Sequence, residues 1–335
     1  MAWWFTNKKT QRQKHKSRHS KTRQKHNKYK VKRQYAKYIS VKNAPRYKRQ
    51  KGGKQPCIVA NLINHEGLGN KLGIFGAALI VKEKVNLPIC IMGTVTPHSS
   101  KDYASLFDAE PVPWPVDINN MKDVMKSRDD DRSPFSKNTV DYTNDDVGKD
   151  IKIGAILYQH YKSHLPIVPK MKEMLMRREF GKEEYKPYKL PSDTATAFIH
   201  VRQGDYKNFS WEQPETYYTN ALTKLNELDK ANAIESILVF SDNISWCETQ
   251  MDKWRDLIPK KKIETKDADE LQTLYMMMQC KAGAIISGST FSAWGAMLGA
   301  NENPKSIILY PKNIRQFHGA TNPMSFPDRW QAVSD

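Results

Sequence analysis

The sequence predicts an α/β protein with two parallel-sheet lobes, preceded by a basic segment that is disordered. Three observations support this prediction. From Thr196 onward, short apolar runs alternate with longer segments of helical character, which is typical of a doubly wound parallel sheet. Residues 57–92 show a strand, a glycine-rich loop, a helix and a second strand in that order, the start of another parallel layer. The excess of Lys and Arg is confined to the first 65 residues.

The positive charge of the chain lies in its amino-terminal segment. The formal net charge is +18, and residues 1–65 contain 20 Lys and Arg but no Asp or Glu. The other 270 residues therefore carry 34 of the 54 basic side chains and all 36 acidic ones. Because the folded part is close to neutral, the overall charge does not indicate a nucleic-acid-binding fold.

Residues 1–55 are predicted to be disordered, because their Lys, Arg, Gln, His and Ser side chains bury little apolar surface. Such a segment is typical of a nuclear address, of nucleic-acid binding or of adhesion to an anionic membrane. Tyr29, Tyr35 and Tyr38 interleave with the charges and suit stacking on single-stranded nucleic acid. An anionic partner and a non-specific solvated tail both stay open.

The cysteine pattern predicts buried free thiols. Cys57, Cys90, Cys247 and Cys280 lie in or beside apolar runs without C-x-x-C spacing, which argues against a disulfide framework or a zinc site. No apolar run reaches the roughly 18 residues of a membrane span, and Met1–Phe5 is too short for a signal peptide. We therefore expect a soluble cytoplasmic protein, with nuclear or membrane association through residues 1–55 as the alternative.

The first lobe is predicted over residues 56–185. Strands are expected at 57–63 and 87–92, with a loop at 66–70 and a helix over 71–84 between them. Residues 94–150 are rich in Pro, Asp, Ser and Asn and predict only a surface segment around 128–133. Residues 151–179 predict one or two helices, and 183–191 predict a linker.

The second lobe is predicted over residues 190–335, with about five parallel strands. The expected strands are 197–202, 236–240, 263–264, 284–286 and 306–309, and the expected helices are 214–228, 244–254, 267–281 and 289–299. Ligands of such sheets bind outside the carboxyl ends of the strands. Motifs at those ends are therefore candidate site residues.

The first motif is His200-Val-Arg-Gln-Gly-Asp-Tyr206, at the end of a predicted strand. Arg202 can make a bidentate contact with a phosphate, and Gly204 allows a tight turn with close approach of the backbone. Asp205 can orient Arg202 or act as a base. An ordinary ion pair on a strand-end turn is the alternative.

The second motif is Ser287-Gly-Ser-Thr-Phe-Ser292, where a strand runs into a helix. Ser289 and Thr290 are placed to cap that helix, and its amides and hydroxyls form an anion site suited to a pyrophosphate. A plain helix N-cap is the alternative. Two weaker signals are Gly67-Leu-Gly-Asn70, which has part of a dinucleotide fingerprint, and Phe240-Ser-Asp-Asn243, which ends a strand.

Taken in chain order, these motifs resemble those of glycosyltransferase family 11, the α-1,2-fucosyltransferases. That family shows G-G-L-G-N-Q, H-V-R-R-G-D-Y, F-S-D-D and N-S-T-F-S-W-W-G-A. The resemblance covers about residues 196–312 and, locally, 65–84. Where the family has Gln, Arg, Asp, Asn and Trp, this chain has Lys71, Gln203, Thr273, Gly288 and Ala293.

The resemblance implies a GT-B-like fold of two Rossmann-like lobes. It implies inverting, metal-independent transfer of fucose from GDP-fucose to a glycan hydroxyl, as in galactoside 2-α-L-fucosyltransferases, with no cofactor besides the donor substrate. Two alternatives stay open. The first is a transferase for another nucleotide sugar or an inactive relative. The second is a nucleic-acid-binding protein that acts through residues 1–55.

By the same resemblance, Arg202 binds the β-phosphate and stabilises the charge on the departing GDP. His200 lies near the guanosine. Ser289, Thr290 and Ser292 hold the diphosphate.

Further roles follow from the other motifs. Gly69 and Asn70 are expected to close the cleft from the first lobe, and Lys71 to add a positive charge there. Asp205 is the first candidate for the general base and Glu66 the second. The remaining donor-site candidates are Gly204 and Asp242.

Overall fold

Two parallel sheets organise the part of the chain that the structure describes. This computed structural model describes residues 56–62, 67–93, 103–112, 121–123, 125–126, 139–140, 145, 149–153, 160–231, 233–314 and 324–335. The basic segment 1–55, the base candidate Glu66 and the surface segment 128–133 lie outside the described residues.

The described residues before 160 contain seven short strands. They are β1 (Ile58–Asn61), β2 (Ile89–Met92), β3 (Glu110–Pro111), β4 (Lys122–Asp123), β5 (Met125–Lys126), β6 (Thr139–Val140) and β7 (Ile151–Ile153). Five of them form a parallel sheet in the order β3-β2-β1-β7-β4, while β5 and β6 form a separate antiparallel pair.

Helix α1 (Leu68–Val85) follows β1 and begins earlier than the predicted residue 71. Its first turn takes in part of the glycine-rich loop, because Leu68, Gly69 and Leu72 are all buried against the rest of the core. Asn86 ends the helix in a left-handed conformation, with its N–H donating to Lys82 O.

Residues 151–153 correct the predicted helical segment 151–179. Ile151 and Ile153 are buried and lie in register with Ile58 and Ala60 of β1, so the apolar side chains alternate as in a strand. The helices of this segment come later, as α2 (Tyr161–His164) and α3 (Val168–Leu175), and a π-helical turn follows at Met176–Phe180.

The second sheet is wholly parallel and confirms the predicted α/β fold. Its strands are β8 (Thr196–Val201), β9 (Ser236–Ser241), β10 (Lys262–Thr265), β11 (Gly283–Ile285), β12 (Ile307–Pro311) and β13 (Gln331–Val333). Their order is β10-β9-β8-β11-β12-β13, so the chain reverses direction across the sheet between β8 and β11. Doubly wound sheets bind ligands at such a switch point. The prediction missed β13, because its three residues are too short for a recognisable apolar run.

The helices of the second lobe are α4 (Glu215–Leu228), α5 (Ile244–Leu257), α6 (Glu270–Gln279) and α7 (Thr290–Leu298). Helix α6 is shorter than predicted because Asp269 and Gln272 form a capping box at its start. In the ranges that the structure describes, no helix combines the length and the apolar character needed to cross a bilayer.

Helix α1 carries the contact between the two sheets. Its Leu72 and Phe75 share one core with Trp294 of α7. A Cβ on Gly69 would lie 2.4 Å from the backbone nitrogen of Phe291, so glycine is required for this approach. Residues 54–335 form one compact unit, and the lobe boundaries at 56–185 and 190–335 stay a prediction.

The cysteines are paired differently from the prediction. Cys57 and Cys90 form a disulfide with their Cα atoms 6.0 Å apart, whereas Cys247 and Cys280 are free and buried as expected. Cys90 lies in β2 and Cys57 directly precedes the neighbouring β1. Strand pairing brings the two within bonding reach, and a separation of 33 residues in the sequence does not reveal it.

Candidate active site

The first two motifs meet at the switch point of the second sheet. Strands β8 and β11 are neighbours, with Ile199 in register with Ile285. His200, near the end of β8, and Ser287, just after β11, form a hydrogen bond, with Nδ1 and Oγ 3.1 Å apart. Residues that are 87 positions apart in the chain thus form one constellation, as the strand-end argument predicts.

Arg202 lies immediately beyond β8 and is held by two carboxylates. Its Nη2 donates to Asp205 Oδ1 at 2.7 Å, and its Nη1 lies 2.9 Å from Asp242 Oδ2. The guanidinium carbon also lies 5.5 Å from the centre of the Tyr206 ring. The Arg202 side chain keeps 35% exposure, so it is oriented and still accessible to a ligand.

Asp242 organises the turn that carries Arg202. Besides its ion pair with Arg202, Asp242 Oδ1 accepts a hydrogen bond from the Gln203 backbone N–H at 2.8 Å. A Cβ on Gly204 would lie 2.5 Å from Asp242 Oδ2, so glycine lets the turn close onto this carboxylate. The structure therefore gives both residues a role in positioning Arg202.

Gln203 and Asn243 support the same turn. Gln203 is buried, and its Oε1 accepts from Asn243 Nδ2 at 3.0 Å. Asn243 also caps α5 by accepting from the Trp246 N–H. Sequence reasoning missed the Asn243 contact, although Asn directly after F-S-D is a common N-cap signal.

The second motif forms the start of α7. The Ser289 hydroxyl caps the helix by accepting from the Ser292 N–H at 3.3 Å. Ser292 is fully buried, and its hydroxyl donates to the carbonyls of Ser287 and Ser289. Thr290 is half-buried and opens the helix. Ser292 thus shapes the turn, while Ser289, Thr290 and the helix amides lie at the positive end of the helix dipole.

Burial controls the charge state of His200. It lowers the pKa of this side chain to about 3, and the positive charge of Arg202 adds to the effect. The imidazole is therefore neutral near pH 7. Its ring centre lies 5.5 Å from that of Phe291, so His200 of the first motif contacts both Ser287 and Phe291 of the second.

The glycine-rich motif of the first lobe lies at the start of α1, next to the start of α7. Gly69 packs directly against the backbone at Thr290 and Phe291, and the neighbouring Asn70 is half-buried in the first turn of α1. Lys71 differs from its expected place in the cleft. It is fully buried, and its Nζ donates to Leu62 O and Gly93 O at 3.0 Å each.

Thr273 takes the family's Asp position and is buried within α6. Its hydroxyl donates to Ala268 O at 3.4 Å, so the hydroxyl has a hydrogen-bond partner next to the start of α6. In the described ranges, no three His, Cys, Asp or Glu side chains are grouped as metal ligands.

Comparisons with known proteins agree with these motifs. Residues 189–332 match the family model described as Glycosyl transferase family 11. A search of curated proteins finds no match.

Solved structures give weaker likenesses. Fucosyltransferase NodZ from Bradyrhizobium is 11% identical, with 73% of this chain and 94% of that chain covered and a TM-score of 0.40. A mutant of Arabidopsis thaliana FUT1 in complex with GDP is 13% identical, with 75% and 70% covered and a TM-score of 0.40. POFUT1 in complex with GDP is 12% identical, with 76% and 98% covered and a TM-score of 0.40.

TM-scores of 0.40 correspond to a distant likeness, so the assignment depends on the family match. That match coincides with the lobe in which the Arg202 turn and the α7 cap meet. Residues 189–332 are therefore similar to Glycosyl transferase family 11, and this match supports a glycosyltransferase.

Proposed function

We propose that this protein transfers fucose from GDP-fucose to a hydroxyl group of a glycan, with inversion and without a metal, as a galactoside 2-α-L-fucosyltransferase does. The observation that supports it most is the position of Arg202. This cation is oriented by Asp205 and Asp242, remains partly exposed, and follows the strand that adjoins β11 and the start of α7.

The chemistry of this proposal is stabilisation of the leaving group. As the bond from the sugar to the β-phosphate breaks, negative charge grows on the departing GDP. Arg202 can donate to those phosphate oxygens through a charge-assisted hydrogen bond. The amides at the start of α7, with Ser289 and Thr290, add oriented donors. Donors held in advance at the place where charge develops lower the barrier most effectively.

The nucleoside contact in this proposal is His200. Because Nδ1 is hydrogen-bonded to Ser287, Nε2 is the ring nitrogen proposed to contact the nucleoside, and the neutral ring adds no charge beside the diphosphate. Thr273 has no acidic group to pair with the edge of the guanine base. Selection of guanine is therefore expected to depend on other groups of the site.

The general base is proposed to be Asp205, with Glu66 as the second candidate. Asp205 is 42% exposed and can reach an acceptor hydroxyl, although one oxygen is bonded to Arg202. An Asp205→Asn variant with lost turnover and unchanged GDP affinity would favour a base, whereas weakened GDP binding would favour a positioning role.

The experiment that tests this function is calorimetric titration of the full chain with GDP, UDP and CMP. We expect micromolar binding of GDP and none of the other two. Tighter binding of UDP would still support a glycosyltransferase but would exclude fucose as the transferred sugar. Linkage analysis of the product from GDP-fucose and a galactoside then tests the 2-α linkage, and a different linkage would overturn that part of the proposal.

Two further proposals concern the location and the basic segment. A disulfide between Cys57 and Cys90 favours an oxidising compartment over the predicted cytoplasm, and a thiol count on protein from intact cells decides between them.

Residues 1–55 are proposed to contact an anionic partner. Salt-dependent binding of RNA or anionic vesicles that is lost on deletion of this segment would support that role.

A further inference from the structure

A short segment before α4 contains buried polar atoms without partners. Gln213 is 2% exposed, and neither Oε1 nor Nε2 has a hydrogen-bond partner in the part of the chain that the structure describes. The adjacent Trp211 Nε1 and Glu212 Oε2 are in the same state among the described residues. Buried polar groups are normally paired, so three consecutive residues of this kind indicate a place where a polar ligand is expected.

The Gln213 amide lies beside the start of α7. A Cβ on Gly288 would lie 3.1 Å from Gln213 Nε2. Gly288 directly precedes Ser289, the N-cap of the nine-residue helix α7. Helix amides and an unpartnered carboxamide therefore come together at one strand end.

Gly288 and Gln213 are close neighbours at this strand end. The family motif has Asn at the position of Gly288, and a side chain there would contact the Gln213 amide. Without that side chain, Gln213 supplies a carboxamide to the same strand end from the α4 side.

We propose that Gln213 binds a hydroxyl of the sugar carried by the nucleotide donor, and so helps to select that sugar. The inference rests on the proposed function, because it assumes a nucleotide sugar at this strand end. A carboxamide donates through Nε2 and accepts through Oε1. A phosphate oxygen only accepts and would leave Oε1 unpaired, whereas sugar hydroxyls both donate and accept, so that neighbouring hydroxyls can pair with both atoms. Arg202 and the α7 amides already supply donors to the phosphates.

The test compares GDP with GDP-fucose on the full chain. We expect Gln213→Leu to weaken GDP-fucose binding about tenfold, since two neutral hydrogen bonds are lost, while GDP affinity stays within about twofold. The melting temperature is expected to stay level or rise, because the substitution removes unpaired buried polar atoms. An equal loss for GDP and GDP-fucose would place Gln213 on the nucleotide and overturn the proposal, as would unchanged binding of both.

A second variant guards against misfolding. Gly288→Asn combined with Gln213→Ala supplies a carboxamide from position 288, where the new Cβ would lie 3.0 Å from Ile314 Cγ2 and the shorter side chain at position 213 leaves room for it. We expect it to recover most of the affinity difference between GDP and GDP-fucose that Gln213→Ala alone has lost. A folded double variant without that recovery would count against the proposal.

Failure of the proposed function gives a different result. In that case the wild-type chain binds neither GDP nor GDP-fucose, and the sugar assignment falls with it. If the wild type binds GDP-fucose more tightly than GDP and Gln213→Leu keeps that difference, only the role of Gln213 is wrong.

Discussion

The carboxyl edges of the two sheets use a basic side chain in opposite ways. In the first sheet, Lys71 is fully buried and its Nζ donates to the carbonyls of Leu62 and Gly93 just beyond β1 and β2. In the second sheet, Arg202 is 35% exposed and lies between two carboxylates. A cation that occupies backbone acceptors holds a strand edge together, whereas a cation kept at the surface remains available to a ligand.

Desolvation explains why the two cations differ. A buried ammonium needs acceptors for its donors, and the strand-end carbonyls of Leu62 and Gly93 provide two of them. Arg202 stays hydrated in part, so its carboxylate partners orient it at little cost. The first edge is therefore expected to govern stability and the second to govern binding.

The largest expected effect is on the second edge. We expect Arg202→Ala to weaken GDP binding about 100-fold or more, because charge-assisted hydrogen bonds contribute about 1.5–3 kcal/mol each. Calorimetry of the full chain measures the change. Arg255→Ala is the matched control, since Arg255 forms an exposed pair with Asp252. Equal GDP affinity in wild type and Arg202→Ala would remove Arg202 from the donor site.

The next effect is on the first edge. We expect Lys71→Met to lower the free energy of unfolding by about 3 kcal/mol, because two strand-end carbonyls lose their charged donor. Urea denaturation measures it, and Lys84→Met on the exposed side of the same helix is the control. A Lys71→Met protein as stable as the control would show that this edge does not need its cation.

A smaller effect concerns two buried histidines, His164 beside α1 and His200 near the end of β8. Burial lowers the pKa of His164 to about 4 and that of His200 to about 3. Below the unfolded pKa of about 6.5, the unfolded chain binds protons that the folded chain excludes. The contribution of these histidines to the free energy of unfolding is therefore fully present above about pH 6.5. It decreases as the pH falls from there towards their folded pKa values.

We expect each histidine to account for a loss of about 2 kcal/mol between pH 7 and pH 5. His200→Gln and His164→Gln should each remove about half of the combined loss in urea denaturation at the two pH values. An unchanged loss in both variants would contradict burial as its source.

The smallest expected effect concerns the orientation of Arg202. Asp205 and Arg202 are both partly exposed, so Asp205→Asn should change the free energy of unfolding by less than about 1 kcal/mol. Thermal melting measures this, with Asp252→Asn on the exposed Arg255 pair as the control. A much larger loss would mean that the carboxylate supports the fold as well as the guanidinium.

Much of the second lobe could be predicted from its sequence. Every helix and strand expected between 197 and 309 is present, with ends shifted by a few residues. Helical and strand periodicities are long enough there to be read locally. In the first lobe, the sequence predicts Ile151–Ile153 as part of a helix, because three residues cannot show a period and their strand depends on pairing with β1.

The candidate site was predicted in its motifs but only partly in its contacts. Arg202 and Asp205 are three residues apart and meet locally. The contacts of Asp242 with the Arg202 turn depend on the pairing of β8 with β9. The proximity of Gln213 to Gly288 has no local signal, since it is set by the packing of α4 on the sheet.

The sequence by itself determined the α/β alternation, the charge confined to residues 1–65 and the strand-end motifs of the second lobe. These features depend on neighbouring residues, so local periodicity and composition express them. Only the tertiary structure decided that Lys71 closes an edge, that Cys57 bonds Cys90, and that Gln213 lies at the start of α7. Those outcomes depend on which strands become neighbours and on what is desolvated between them. Contacts between residues far apart in the chain set both.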